Sequence, residues 1–188
     1  LILIGCAGLI MSGHFLGGMS VVFAALGMCL YGFSLVQTRV IMAALLLGAG
    51  WALLSLSAGL LLAAAFMLMA LGLPLSRQWR IKRYYITLIG AFAVALPLMC
   101  VYPFALYHTD AAAFSAWRQY HLFGDFGGSA SFQTAFSLLY YLKNLFWFAF
   151  PAWALALWTA SRIKLHQERW GVLALSWLAV AFLLLAAS

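Results

Sequence analysis

Seven side chains capable of polar chemistry lie close together in an otherwise apolar chain: Arg118, Tyr120, His121, Asp125, Tyr140, Tyr141 and Lys143. Arginine offers a planar fork of N–H donors, lysine a compact point charge, and tyrosine hydroxyls add short-range donors. Such a set suits the capture of a phosphate or pyrophosphate carried on a lipid. The same residues also admit an architectural reading, in which Lys143 snorkels toward headgroups, Arg118 pairs with Asp110 or Asp125, and the tyrosines form an interfacial belt.

Other reactive residues carry less. Asp125 precedes Phe126 and Gly127, the letters of the metal-binding triplet of protein kinases, but the chain has neither the glycine-rich loop nor the HRD segment that this triplet serves. His14 opens an apolar run without an HExxH pattern or a second ligand at helical spacing, and reads as a hydrogen-bonded interfacial histidine. Gly13 and Gly17, four residues apart, would let helices approach closely there. Cys6, Cys29 and Cys100 are odd in number, lack CxxC spacing and sit in apolar segments. They suggest neither a disulfide framework nor a zinc site, and read as small core residues.

The elements that position these groups follow from composition. Hydrophobic residues make up 68% of the 188, charged residues 7%, and mean hydropathy is +1.08. So few charges cannot furnish a water-facing surface. The apolar runs lack the strict alternation of barrel strands, so the expected fold class is all-α, a polytopic transmembrane helix bundle. The runs fall at 1–12, 20–36, 40–54, 58–75, 86–107, 143–160 and 170–187. They predict about six or seven membrane segments, with 40–75 either two short helices joined near Ser55, Ser57 and Gly59 or one bent element.

A net charge of +7 does not point to nucleic acid, because the basic residues sit in short clusters between apolar runs. They follow the positive-inside rule instead. Placing Arg39, the cluster Arg77, Arg80, Lys82 and Arg83, and the cluster Arg162, Lys164 and Arg169 in the cytoplasm puts eight of the ten basic residues on one side. Arg118 and Lys143 remain on the far side, in or beside a loop of about 108–141 whose Trp117, Tyr120, Phe132 and Phe136 suit short helices in the headgroup layer. The apolar runs hold no embedded Asp, Glu, Lys or Arg of the kind that marks ion pathways, and no symmetry relates the halves, which argues against pump, channel and transporter. The chain reads as a single transmembrane domain over 1–188. Leu1 opens an apolar run with no initiator Met, and Ser188 directly follows another, which gives the expectation of a piece cut from a longer protein, with an N-terminal catalytic part and a C-terminus outside it.

The segment Tyr140-Tyr141-Leu142-Lys143-Asn144-Leu145-Phe146-Trp147-Phe148-Ala149-Phe150-Pro151-Ala152-Trp153 resembles the bacterial ArnT-like and dolichyl-phosphate-mannose mannosyltransferase-like membrane glycosyltransferases of the GT-C superfamily. In these a tyrosine pair precedes an LPWF…P helix; here Phe146 stands where that family often has proline. The stretch from Gly48 through Gly50-Trp51-Ala52-Leu53-Leu54-Ser55 to Ser57 and Gly59 is similar to the family's G…GLAFLSKG helix, with Ser57 at a place often occupied by Lys or Arg. The helix end from Pro97 to Tyr107, followed by Phe114 and Trp117, also fits.

The resemblance implies transfer of a sugar from a polyprenyl-phosphate donor to a lipid or protein acceptor at the periplasmic face of the bacterial inner membrane. It places the catalytic carboxylates in a first periplasmic loop N-terminal to this chain, so no catalytic residue is expected here. Lys143, Tyr141 and Tyr140 would lie near the donor phosphate, with Arg118 and His121 as further donor-binding residues. A divalent metal is left open; the donor, the acceptor and membrane lipids are the expected partners, and nucleic acid is not. The alternative is a non-enzymatic polytopic module, flippase-like or an assembly subunit, whose far-side loop contacts a partner.

Overall fold

The computed structural model describes residues 18–122, 158 and 168–187. Six α-helices are described: α1 Gly18–Leu35, α2 Val40–Ala58, α3 Leu60–Gly72, α4 Lys82–Thr109, α5 Ala111–Leu122 and α6 Arg169–Ala187. Two 3₁₀ turns, Leu73–Leu75 and Arg77–Trp79, join α3 to α4. No strand occurs among the described residues. The expected runs 20–36, 86–107 and 170–187 thus correspond to α1, α4 and α6, while 1–12 and 143–160 lie outside the described residues, Trp158 excepted.

Two helices, α2 and α4, are long and apolar enough to cross a membrane. Only 22% of the apolar window of α4 is buried against protein, far less than the core helix of a water-soluble domain would show. Large side chains are exposed along the helix flanks, among them Ile41, Leu68, Ile89 and Leu178. At a rise of 1.5 Å per residue, α4 is about 42 Å long and exceeds a ~30 Å hydrocarbon layer, whereas the 13 residues of α3 reach about 20 Å.

The stretch 40–75 is two helices, and the break is a single residue. Gly59 has φ 95°, a conformation that costs glycine little and side-chain-bearing residues considerably more. Ser55 and Ser57 lie inside α2 instead of in the joint, and the Ser57 hydroxyl donates back to the Leu53 carbonyl at 2.6 Å.

Helix α2 forms the centre, packed between α1 and α4. Gly48 and Gly50, two residues apart, face opposite sides because each step turns the helix by about 100°. A Cβ on Gly48 would stand 2.7 Å from the Ala91 carbonyl of α4, and one on Gly50 would stand 2.5 Å from Cys29 Sγ of α1. Small residues thus let three backbones approach where apolar attraction between helices is not supplied by water. Trp51 is fully buried against this core, its ring 5.2 Å from that of Phe92.

Of the cysteines, Cys29 is buried as expected of a small core residue, but Cys100 is exposed. It falls on the side of α4 that no described helix covers; Cys6 lies outside the described residues.

Candidate functional site

The far-side candidate begins where α4 ends. Asp110 interrupts the helix and starts α5: its Oδ1 accepts hydrogen bonds from the backbone N–H groups of Ala112, at 2.9 Å, and Ala113, at 3.0 Å. This is an N-cap, satisfying donors that the first turn leaves open. Of the two partners that the architectural reading allows Arg118, Asp110 is held at the helix start, two turns from the exposed Arg118, and Asp125 lies outside the described residues.

Aromatic rings fix the corner between α4 and α5. Tyr107 meets Phe114 edge-on at 5.3 Å, Tyr102 meets Trp117 at 6.3 Å, and Phe114 stacks on Trp117 at 6.0 Å. Phe104 and Tyr107 both contact His108, at 4.5 and 5.5 Å. Arg118 follows Trp117 directly and so leaves the corner beside this cluster. His121 lies in the last turn of α5, three residues beyond Arg118. Tyr140, Tyr141 and Lys143, together with Asp125, lie outside the described residues. The structure thus brings Arg118 and the His121 position onto one short helix. Among the described residues no group of three or more His, Cys, Asp or Glu could hold a metal ion.

A second cluster occupies the opposite end, about 42 Å away along α4. There hydrogen bonds tie Arg83, Arg80 and Arg169 into the fold, those of Arg83 and Arg169 across long stretches of sequence. Arg83 Nη1 donates to the Gln37 carbonyl after α1, Arg80 Nε to the Pro74 carbonyl at 3.3 Å, and Trp79 Nε1 to the Arg169 carbonyl at 3.2 Å. Trp79 is fully buried, and so is Tyr84, whose hydroxyl donates to the Ala70 carbonyl at 2.6 Å. Their rings meet at 5.3 Å, while Phe33 and Trp170 close on Trp79 at 5.8 and 6.3 Å.

Arg169 caps this aromatic group. Its Cζ lies 4.1 Å from the centre of the Trp79 ring and 5.7 Å from that of Trp170. Cation–π attraction at such range contributes roughly 0.5–2 kcal/mol. Yet Nε and Nη2 are shut off from solvent without a hydrogen-bond partner, an omission that costs on the order of 1–3 kcal/mol per donor, more for a charged group. From its place in the sequence Arg169 has only a topological role. The signal available was tryptophan beside a basic residue in both loops, Trp79-Arg80 and Arg169-Trp170, but only the fold shows that they meet.

No protein-family model, curated protein or solved structure matches the chain.

Proposed function

We propose that the chain is the central to C-terminal membrane part of a bacterial inner-membrane glycosyltransferase, a bundle of six or seven spans that moves a sugar from a polyprenyl-phosphate donor to a lipid or protein acceptor at the periplasmic face. The observation that carries this reading is the α4–α5 corner. A helix longer than the hydrocarbon layer ends in an aromatic cluster, and a short capped helix then carries the exposed Arg118, an arrangement that supports a role at the headgroup zone. The tyrosine pair and Lys143 resemble the donor-binding segment of the GT-C enzymes and supply the second half of the argument.

In this reaction the bond between the anomeric carbon and the donor phosphate breaks, and an acceptor oxygen forms the new bond while losing its proton to a base outside this chain. Negative charge grows on the departing phosphate. In this reading Arg118 and Lys143 offset it, Arg118 through a forked contact and Lys143 as a point charge, with Tyr140, Tyr141 and His121 as further phosphate-binding residues.

The test uses the full-length protein in membranes, supplied with radiolabelled polyprenyl-phosphate sugars. Arg118→Gln, Lys143→Ala and Tyr141→Phe are expected to lose transfer at unchanged expression. Full activity in all three would remove these residues from the donor site. No transfer by the wild type from any donor would favour the non-enzymatic module.

A further inference from the structure

We propose that the basic end of the bundle holds a second, specific anion site, centred on the Arg169 guanidinium, which takes a phosphate group. Three independent features converge there. The first is the pair of donors, Nε and Nη2 of Arg169, left without a partner although withdrawn from solvent. The second is rigidity: the guanidinium lies 4.1 Å from the fully buried Trp79 ring, and the Arg169 carbonyl accepts the Trp79 indole N–H, so both ends of the residue are fixed to one anchor. A planar donor fork held in place is suited to a tetrahedral oxyanion and gives up little freedom on binding it.

The third feature is the surrounding field. Arg169 is the first residue of the 19-residue α6, where the helix dipole already presents its positive end. Arg77, Arg80, Lys82 and Arg83 are exposed at the same end. Glu168, the preceding residue, makes no hydrogen bond to Nε or Nη2. An anion at this point satisfies the orphaned donors and relieves the repulsion between Arg169 and the helix terminus. Phosphate is the matching chemistry, and it has two sources: the headgroup of an anionic lipid in the adjoining leaflet, or a soluble phosphate. The site is at the other end of α4 from Arg118 and does not depend on the transferase reading.

Native mass spectrometry of the full-length protein released from nanodiscs tests it, with discs of phosphatidylcholine alone plus inorganic phosphate and discs doped with phosphatidylglycerol. The wild type is expected to retain one tightly held adduct. Arg169→Gln should weaken it about tenfold, the difference expected when a charge-assisted forked contact is lost. Arg169→Lys should fall between the two, because the cation remains and the fork does not. Should Arg169→Gln fail to accumulate, the lysine variant carries the test. Retention of phosphatidylglycerol identifies the lipid source, and retention of phosphate in phosphatidylcholine discs the soluble one. No adduct in either disc, or equal weakening by Arg169→Gln and Arg77→Gln, overturns the proposal, since a diffuse basic surface would not single out Arg169.

Discussion

The two ends of the bundle use the same residue pair, an arginine beside a tryptophan, for opposite purposes. At the basic end Arg169 is seated on Trp79, from the distant turn before α4, and that tryptophan is packed by Phe33, Tyr84 and Trp170. At the far end Arg118 follows a Trp117 whose described ring partners, Tyr102 and Phe114, lie within α4 and α5, and its own side chain is exposed. The first cation is built into tertiary structure; the second is displayed by local structure. A partly buried arginine whose donors are closed off is costly without a counter-charge, whereas an exposed one beside aromatics is available to any anion that arrives.

The contrast can be broken most forcefully at Trp79. Trp79→Ala removes a fully buried indole from the junction of α1, α4 and α6 and is expected to cost about 3–5 kcal/mol, read as a large loss of thermal stability in detergent. Trp117→Ala, at the half-buried corner, should cost clearly less in the same assay. Equal losses would mean that the far end is as tightly built as the basic one.

Arg118→Gln separates function from stability. Under the proposed transferase function, transfer from a polyprenyl-phosphate sugar should fall by about tenfold or more, the effect of one charge-assisted donor, while the melting temperature stays near wild type. A shifted melt with intact transfer would reverse the roles assigned to the two arginines.

Smaller effects sharpen the picture. Asp110→Ala removes the cap of α5 and should cost about 1 kcal/mol, seen as faster amide hydrogen exchange confined to the first turn of that helix. Tyr84→Phe leaves the Ala70 carbonyl without its side-chain donor and should cost about 0.6 kcal/mol, near the average for hydrogen bonds between membrane helices, in the same thermal assay. A null result at Asp110 would show that the aromatic contacts alone hold the corner.

How much of this was legible beforehand varies by residue. Composition and run length alone indicate helices, because membrane-depth backbone must satisfy its own hydrogen bonds and 68% apolar content leaves few alternatives. The helical runs at 20–36, 86–107 and 170–187 needed no partner to be read. The sequence leaves 40–75 open between two short helices joined near Ser55, Ser57 and Gly59 and one bent element, and only backbone geometry shows two helices, with Gly59 at positive φ and both serines helical. The sequence leaves Asp110 and Asp125 both open as partners for Arg118, because spacing shows which charges are near in the chain and not that Asp110 caps the backbone donors of a helix start.

What the sequence determined by itself was the chain's preference for apolar helices, the separation of basic loops from the Arg118 loop, and the residue types able to hold phosphate. All three depend on local composition, which folding does not alter. The tertiary structure alone decided that Gly48 and Gly50 serve two different neighbours, and that Trp79 and Arg169, 90 positions apart, become one unit. Such contacts depend on how helices pack across distance, and a partnerless buried N–H exists only once the surrounding chain has closed around it.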